Sequence, residues 1–86
     1  MKVMYKTSSY GNLIEEVNIN RETESSVFYN DRGRERRAAK MGIYECYFNT
    51  KQEAQDYLIR KEELEIERAE NKIKYAIEKI EQIKAL

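Results

Sequence analysis

Two periodicities divide the chain. Up to Phe48 the apolar residues alternate with polar ones over short runs, and from Thr50 onward they return every three or four positions. Period two is the signature of a strand with one buried face, and period 3.6 that of an amphipathic helix. The first half holds nearly all the aromatic residues and all three glycines. Lys2 to Lys6 alternates, with Val3 and Tyr5 on one face. Ser9, Gly11 and Asn12 supply turn chemistry. Leu13 to Asn20 alternates again: Leu13, Val17 and Ile19 share a face that Glu15 interrupts, and Ile14, Glu16, Asn18 and Asn20 form the wetter one. Arg21 to Ser25 reads as a turn. Val27 to Tyr29 is a strand, Asn30-Asp31-Arg32-Gly33 closes a hairpin, and Tyr44 to Phe48 is the last strand.

The second half is one helix. Thr50-Lys51-Gln52-Glu53 has the form of a capping box, in which the hydroxyl takes an unpaired amide at the helix start. No glycine or proline follows it. The 36 residues to Leu86 would make a rod of roughly 54 Å at 1.5 Å per residue. Ala54, Tyr57, Leu58 and Ile59 form an apolar cluster that can cover the sheet. Further on, Ile66, Ala69, Ile73, Ala76, Ile80 and Ile83 trace an a/d heptad seam, widened by Ile77 and broken upstream by Glu62. The pattern predicts an α+β fold: an antiparallel β-meander of three or four strands over residues 1–48, then a long C-terminal helix over 49–86 whose distal part is a coiled coil, all in one domain.

The rod outruns its sheet. Strands of ordinary length span about 17–20 Å, so the distal isoleucines need other cover. Self-association is the favoured reading. A different partner, or a bend near Asn71 that folds the helix back, are the alternatives. In a parallel pair Glu65 would face Glu70 and Lys79 would face Lys84, both repulsive. An antiparallel pair would match Glu63 with Lys84, although Lys72 would meet Lys79.

Residues 34–41 are the ambiguous stretch. Their composition suits a short helix capped by Asp31 and ended by Gly42. A hairpin turn before them asks for a return strand, and strand is the preferred reading. Arg34, Arg36, Ala38 and Lys40 would then face one way and Glu35, Arg37, Ala39 and Met41 the other.

Composition narrows the chemistry. Sixteen basic residues balance 16 acidic ones, so no global attraction to nucleic acid or anionic membrane is encoded. No apolar run is long enough to span a membrane, and MKVMYKTSSYG lacks the apolar core of a signal peptide. A chain of this size gains little margin from its own core, roughly 3–5 kcal/mol. One cysteine and no histidine leave neither an intrachain disulfide nor the commonest zinc ligand to reinforce it. Without histidine the usual general base near neutrality is also missing. Cys46 lies in an apolar strand and reads as packing. No catalytic, cofactor or metal residues are expected, and a lone cysteine suits the cytoplasm.

The charged surface at Arg32, Arg34, Arg36, Arg37 and Lys40, flanked by Tyr29, Tyr44 and Tyr47, is the candidate contact. The arginines could neutralise phosphates while the tyrosines stack on bases. Asp31 and Glu35 dilute the run, which favours water or an acidic protein surface, where the guanidinium fork pairs with carboxylates.

The stretch ETESSVFYNDRGRERRAAK, then YECYFNTKQEAQDYL and a charged heptad helix, resembles a group of short proteins encoded in bacteriophages and prophages. The likeness covers roughly residues 22 to 86. It is carried by Thr23, Ser26, Val27, Gly33, Arg34, Tyr47, Phe48, Thr50, Glu53, Ala54, Tyr57 and Leu58. It brings no activity with it, and implies a viral or mobile-element origin and a bacterial cytoplasm. The expectation is a non-enzymatic protein that inhibits or redirects a bacterial host protein, such as a defence nuclease in the anti-CRISPR-like manner. A small nucleic-acid-binding accessory protein and a coiled-coil assembly protein are the alternatives.

Overall fold

The computed structural model describes residues 2–86. Six antiparallel strands precede one helix: β1 (Lys2–Ser8), β2 (Ile14–Ile19), β3 (Arg21–Glu22), β4 (Ser26–Asp31), β5 (Arg34–Ala39), β6 (Glu45–Phe48) and α1 (Lys51–Lys84). They form two three-stranded sheets, ordered β2-β1-β6 and β3-β4-β5. The α+β meander followed by a long helix is therefore the architecture. It divides more finely than the three or four strands expected, because the chain turns a corner at Asn20. Arg21 and Glu22, expected in a turn, pair with Phe28 and Val27 instead. The turn itself is shorter, with the Thr23 amide donating to the Ser26 carbonyl (2.9 Å).

The two sheets are joined at two corners. At one, the Asn20 amide donates to the Phe28 carbonyl at 2.7 Å, so β2 passes into β3 without leaving a ladder. At the other, the Tyr47 amide donates to the Lys40 carbonyl at 2.7 Å, beside an isolated bridge between Met41 and Cys46. This pairing uses groups that would otherwise be open edges.

Between the sheets lies the core. Met4, Ile19, Val27 and Tyr47 are buried there, with Val17, Tyr29 and Ala38 packed against them. Fully burying a side chain such as Met4, Ile19 or Val27 contributes about 1.5–3 kcal/mol each. The helix covers the opposite face of the β2-β1-β6 sheet. Ala54 is fully buried there, and Tyr57 meets Phe48 with ring centroids 5.1 Å apart. β1 is thus covered on both sides. Met4 and Thr7, an odd number of residues apart, are each almost fully buried on opposite faces.

The hairpin between β4 and β5 turns on two residues, Arg32 (φ 53°) and Gly33 (φ 80°). Two positive φ angles in a two-residue loop are the form that matches the twist of adjacent strands. The turn sets Asp31 opposite Arg34 and Val27 opposite Ala38. Residues 34–39 are a strand as read from the turn before them.

Thr50 caps α1: its backbone is extended, and its Oγ1 accepts from the Glu53 amide at 3.1 Å. The Glu53 carboxylate accepts from the Thr50 hydroxyl (3.2 Å). The helix runs on without a bend at Asn71, and the molecule measures 67 × 22 × 22 Å. Among the described residues no helix is long and apolar enough to cross a membrane.

Candidate binding surfaces

Register decides what the arginines do. Along β5, Arg34 and Arg36 lie opposite Asp31 and Tyr29, on the face that carries Val27 and Ala38, while Glu35 and Arg37 lie opposite Asn30 and Phe28 on the other face. The core does not extend to the hairpin tip, so Arg34 and Arg36 project beyond it into solvent. Three of the five basic residues have partners within the chain. Arg36 Nε lies 2.7 Å from Asp31 Oδ2, and Lys40 Nζ lies 3.0 Å from Glu22 Oε2. Arg37 Nε donates to Ser26 Oγ at 3.1 Å. Arg32, at the tip, and Arg34 have no ion-pair partner among the described residues.

A second network on this sheet was invisible in the sequence. The Arg21 guanidinium sits 3.9 Å above the Phe28 ring and reaches Glu35 at 2.9 Å. Asn20 Nδ2 donates to Asn30 Oδ1 at 2.8 Å and to Glu35 at 3.4 Å. The Arg21 guanidinium, followed by the Asn20 amide, holds the Glu35 carboxyl below its ordinary value. Glu22 is also held low, by Lys2 and then Lys40. Of the two acids that dilute the arginine run, Asp31 pairs with Arg36 inside the run, and Glu35 is held by Arg21 and Asn20 from before the turn.

The tyrosines divide. Tyr29 packs against the core, and Tyr47 is buried, so neither presents a free ring face. Burial pushes the Tyr47 phenol up to about 12. Tyr44 is exposed and stacks on Tyr10, with ring centroids 6.2 Å apart and planes 3° from parallel. The Ser9 amide, donating to the Tyr44 carbonyl at 2.8 Å, holds the two segments together. Ile43 beside Tyr44 is 88% exposed, so this end of the head displays an apolar patch. Tyr10 and Ile43 carry no signal in the sequence that distinguishes them from turn residues.

Cys46 is buried, and its sulfur lies 3.5 Å from the Tyr57 hydroxyl. With the phenol as donor to the sulfur, the Cys46 contact, followed by burial, raises the Tyr57 pKa. The thiol is a packing element that ties β6 to α1.

The helix carries the most extensive uncovered surface. Leu64 is the last half-buried residue, and every residue beyond it is exposed. Ile66, Ile73, Ile77, Ile80 and Ile83 are 50–65% exposed, the range set by Ile80 and Ile83. Ala69 and Ala76 lie exposed between them. Upstream, an open groove runs between the β1–β2 turn and the helix, lined by Asn12 and Ile14 on one side and by Leu58, Ile59, Glu62 and Ile66 on the other.

No family model, curated protein or solved structure matches this chain. Its surfaces must therefore speak through their own chemistry. What they offer is a row of half-exposed isoleucines at heptad spacing beyond the head, and a basic surface on which Arg36 and Lys40 are already ion-paired within the chain.

Proposed function

We propose that the protein is a non-enzymatic binding protein that works as an oligomer. Its helices associate through Ile66, Ala69, Ile73, Ala76, Ile77, Ile80 and Ile83, and its β heads offer their surface to a second protein. The observation that carries this reading is that the head covers the helix only as far as Leu64, while a regular isoleucine seam continues beyond it. Contiguous exposed apolar surface of this kind marks an interaction site. Arg32, Arg34 and the Tyr10–Tyr44 patch are the parts of the head free to meet the second partner. The likeness to phage-encoded proteins supports a bacterial host protein in that place and a bacterial cytoplasm as the setting.

The test is the mass in solution. Light scattering at micromolar concentration should give a multiple of the 10.3 kDa chain, and Ile73→Lys should return it to a single chain with the head still folded. A monomer for the unaltered protein would reject the proposal. The ion pairs of Arg36 with Asp31 and of Lys40 with Glu22 weigh against nucleic acid as the partner. A gel shift at low salt that disappears steeply as salt rises would favour it instead.

A further inference from the structure

Resting on the proposed self-association, we infer that the seam is built for a second copy running antiparallel, in a register that sets Ile66 against Ile83 of that copy. The argument begins with side-chain volume. In the seam, Ile66, Ile73 and Ile80 stand at a positions, Ala69, Ala76 and Ile83 at d positions. A parallel pair stacks each residue on its own copy. That puts isoleucine on isoleucine in four layers and alanine on alanine in the two at Ala69 and Ala76, where the helices would have to close up or leave voids. An antiparallel pair puts each a against a d. Ile66 then meets Ile83, Ala69 meets Ile80, and Ile73 meets Ala76, and symmetry repeats the three layers. The four central layers each hold one isoleucine and one alanine, so volume is even from layer to layer, with isoleucine on isoleucine only at the two ends.

Charge points the same way. Residues 59–71 of the helix hold five acids against three bases, and residues 72–86 hold four lysines against two glutamates. Reversing one helix lays the acidic part of each on the basic part of the other. At the flanks Glu63 meets Lys84, and Lys72 meets Lys79, one attractive pair against one repulsive. The parallel arrangement has only the repulsive pairs Glu65–Glu70 and Lys79–Lys84 among its charged flanks.

The groove fits this register. Ile59 and Ile66 are one heptad apart, so the wall of the groove is the same helix face that carries the seam. Beside Ile59 the β1–β2 turn, with Ile14, stands next to the helix in place of a second helix. In the antiparallel register Leu86 of the second copy comes level with Glu63, at the mouth of this groove. Leu86 is wholly exposed in the single chain. The seam is thus divided: its near end borders an open groove beside the chain's own head, where Ile59 is still 57% exposed, and its far end faces the second copy, whose last turn reaches the groove.

Two measurements test the pairing. Ala69→Cys and Ile80→Cys variants are prepared separately, one carrying a mass tag, then mixed and equilibrated in a thiol–disulfide buffer, with buried Cys46 left in place. Antiparallel pairing should give the mixed disulfide well above the statistical half of all crosslinks. Small-angle X-ray scattering on the unaltered protein gives an answer independent of the cysteine variants. Two 67 Å molecules overlapping by roughly 36 Å along their helices should span roughly 100 Å, with heads at opposite ends. A dimer of about the single-chain length, 67 Å, with disulfides between like positions, would overturn the inference and leave the oligomer proposal standing. A tetrameric mass would overturn it also, since the second copy would not then be the sole cover. A monomer would reject both.

Discussion

Gly42 and Glu45 approach each other across the β5–β6 turn so closely that a methyl group on Gly42 would stand 2.8 Å from the Glu45 carbonyl oxygen. The same oxygen accepts from the Gly42 amide at 2.9 Å. The obstacle is backbone, fixed by its own ladder, so it cannot swing aside. Gly42→Ala should therefore destabilise the fold by about 1–3 kcal/mol, the usual range for overfilling a packed site. For a chain this long that lowers Tm by about 4–8 °C per kcal/mol, which thermal unfolding followed by circular dichroism would register. An unchanged Tm would mean that the turn has room the structure does not show.

Thr50 sets where the helix begins. Its side-chain oxygen satisfies the Glu53 amide at 3.1 Å, and the helix start carries Ala54 into its buried place on the sheet. Thr50→Ala should cost about 1 kcal/mol, and Thr50→Ser should recover most of it, because the serine hydroxyl can accept the same bond. Denaturant titration of the two variants checks the order. Equal losses would assign the effect to the threonine methyl group, not to the cap.

Alkaline pH should act on the core through Tyr47 and Lys6. Burial raises the Tyr47 phenol to about 12, while the unfolded chain titrates near ~10. The folded state holds this proton more tightly. Its contribution is therefore complete below about pH 10 and is lost as pH rises through the interval to about 12. Lys6 lies 3.0 Å from Glu45 and 3.2 Å from Glu15. Its pKa is raised, first by Glu45 and against a smaller cost of burial. The sign is the same, with stability falling as the ammonium is deprotonated. Tyr47→Phe should leave stability near neutrality little changed and should flatten the alkaline limb, removing a loss on the order of 2 kcal/mol. Denaturant midpoints between pH 8 and 12 (about four units, spanning the phenol and lysine ranges) would show this. An equally steep limb in the variant would assign the loss to the lysines alone.

The parts of the fold that were legible in the sequence are those set by local chemistry. Absence of glycine and proline after Thr50 marks the helix, and Arg32-Gly33 marks the hairpin that makes residues 34–39 a strand. What alternation could not reveal is which face matters when both are covered. Val3 and Tyr5 stand out in β1, yet Met4, between them, enters the core, and Thr7 is buried under the helix. Alternation groups Leu13 with Val17 and Ile19, but Leu13 precedes β2 and is 70% exposed. Ile14, read on the wetter face, lines the groove beside Leu58. The arginine surface was legible in composition and not in pairing. Arg21 meets Phe28 and Glu35, which stand seven and 14 positions away in the chain, because the β3-β4-β5 ladder brings them together. Only a register, which no single stretch contains, could have shown that.

Met4 and Ile73 allow the core and the seam to be weighed against each other. Met4 is 1% exposed inside the head, and Ile73 is 61% exposed on the helix. In a single chain their truncation should differ sharply. Met4→Ala removes buried volume and should cost about 2–5 kcal/mol at any protein concentration. Ile73→Ala removes a side chain that touches little of its own chain, and alone it should shift stability by no more than ~0.5 kcal/mol. If the seam is an interface, this ordering depends on concentration. Association couples to folding by mass action, so the Tm of the unaltered protein should climb as it is concentrated. Ile73→Ala should weaken that climb and Met4→Ala should keep it, displaced to lower temperature. Scanning calorimetry over a hundredfold range of concentration separates the two behaviours. Parallel curves for the unaltered protein and Ile73→Ala would show that the isoleucine meets no second helix, and the seam would then have no part in stability.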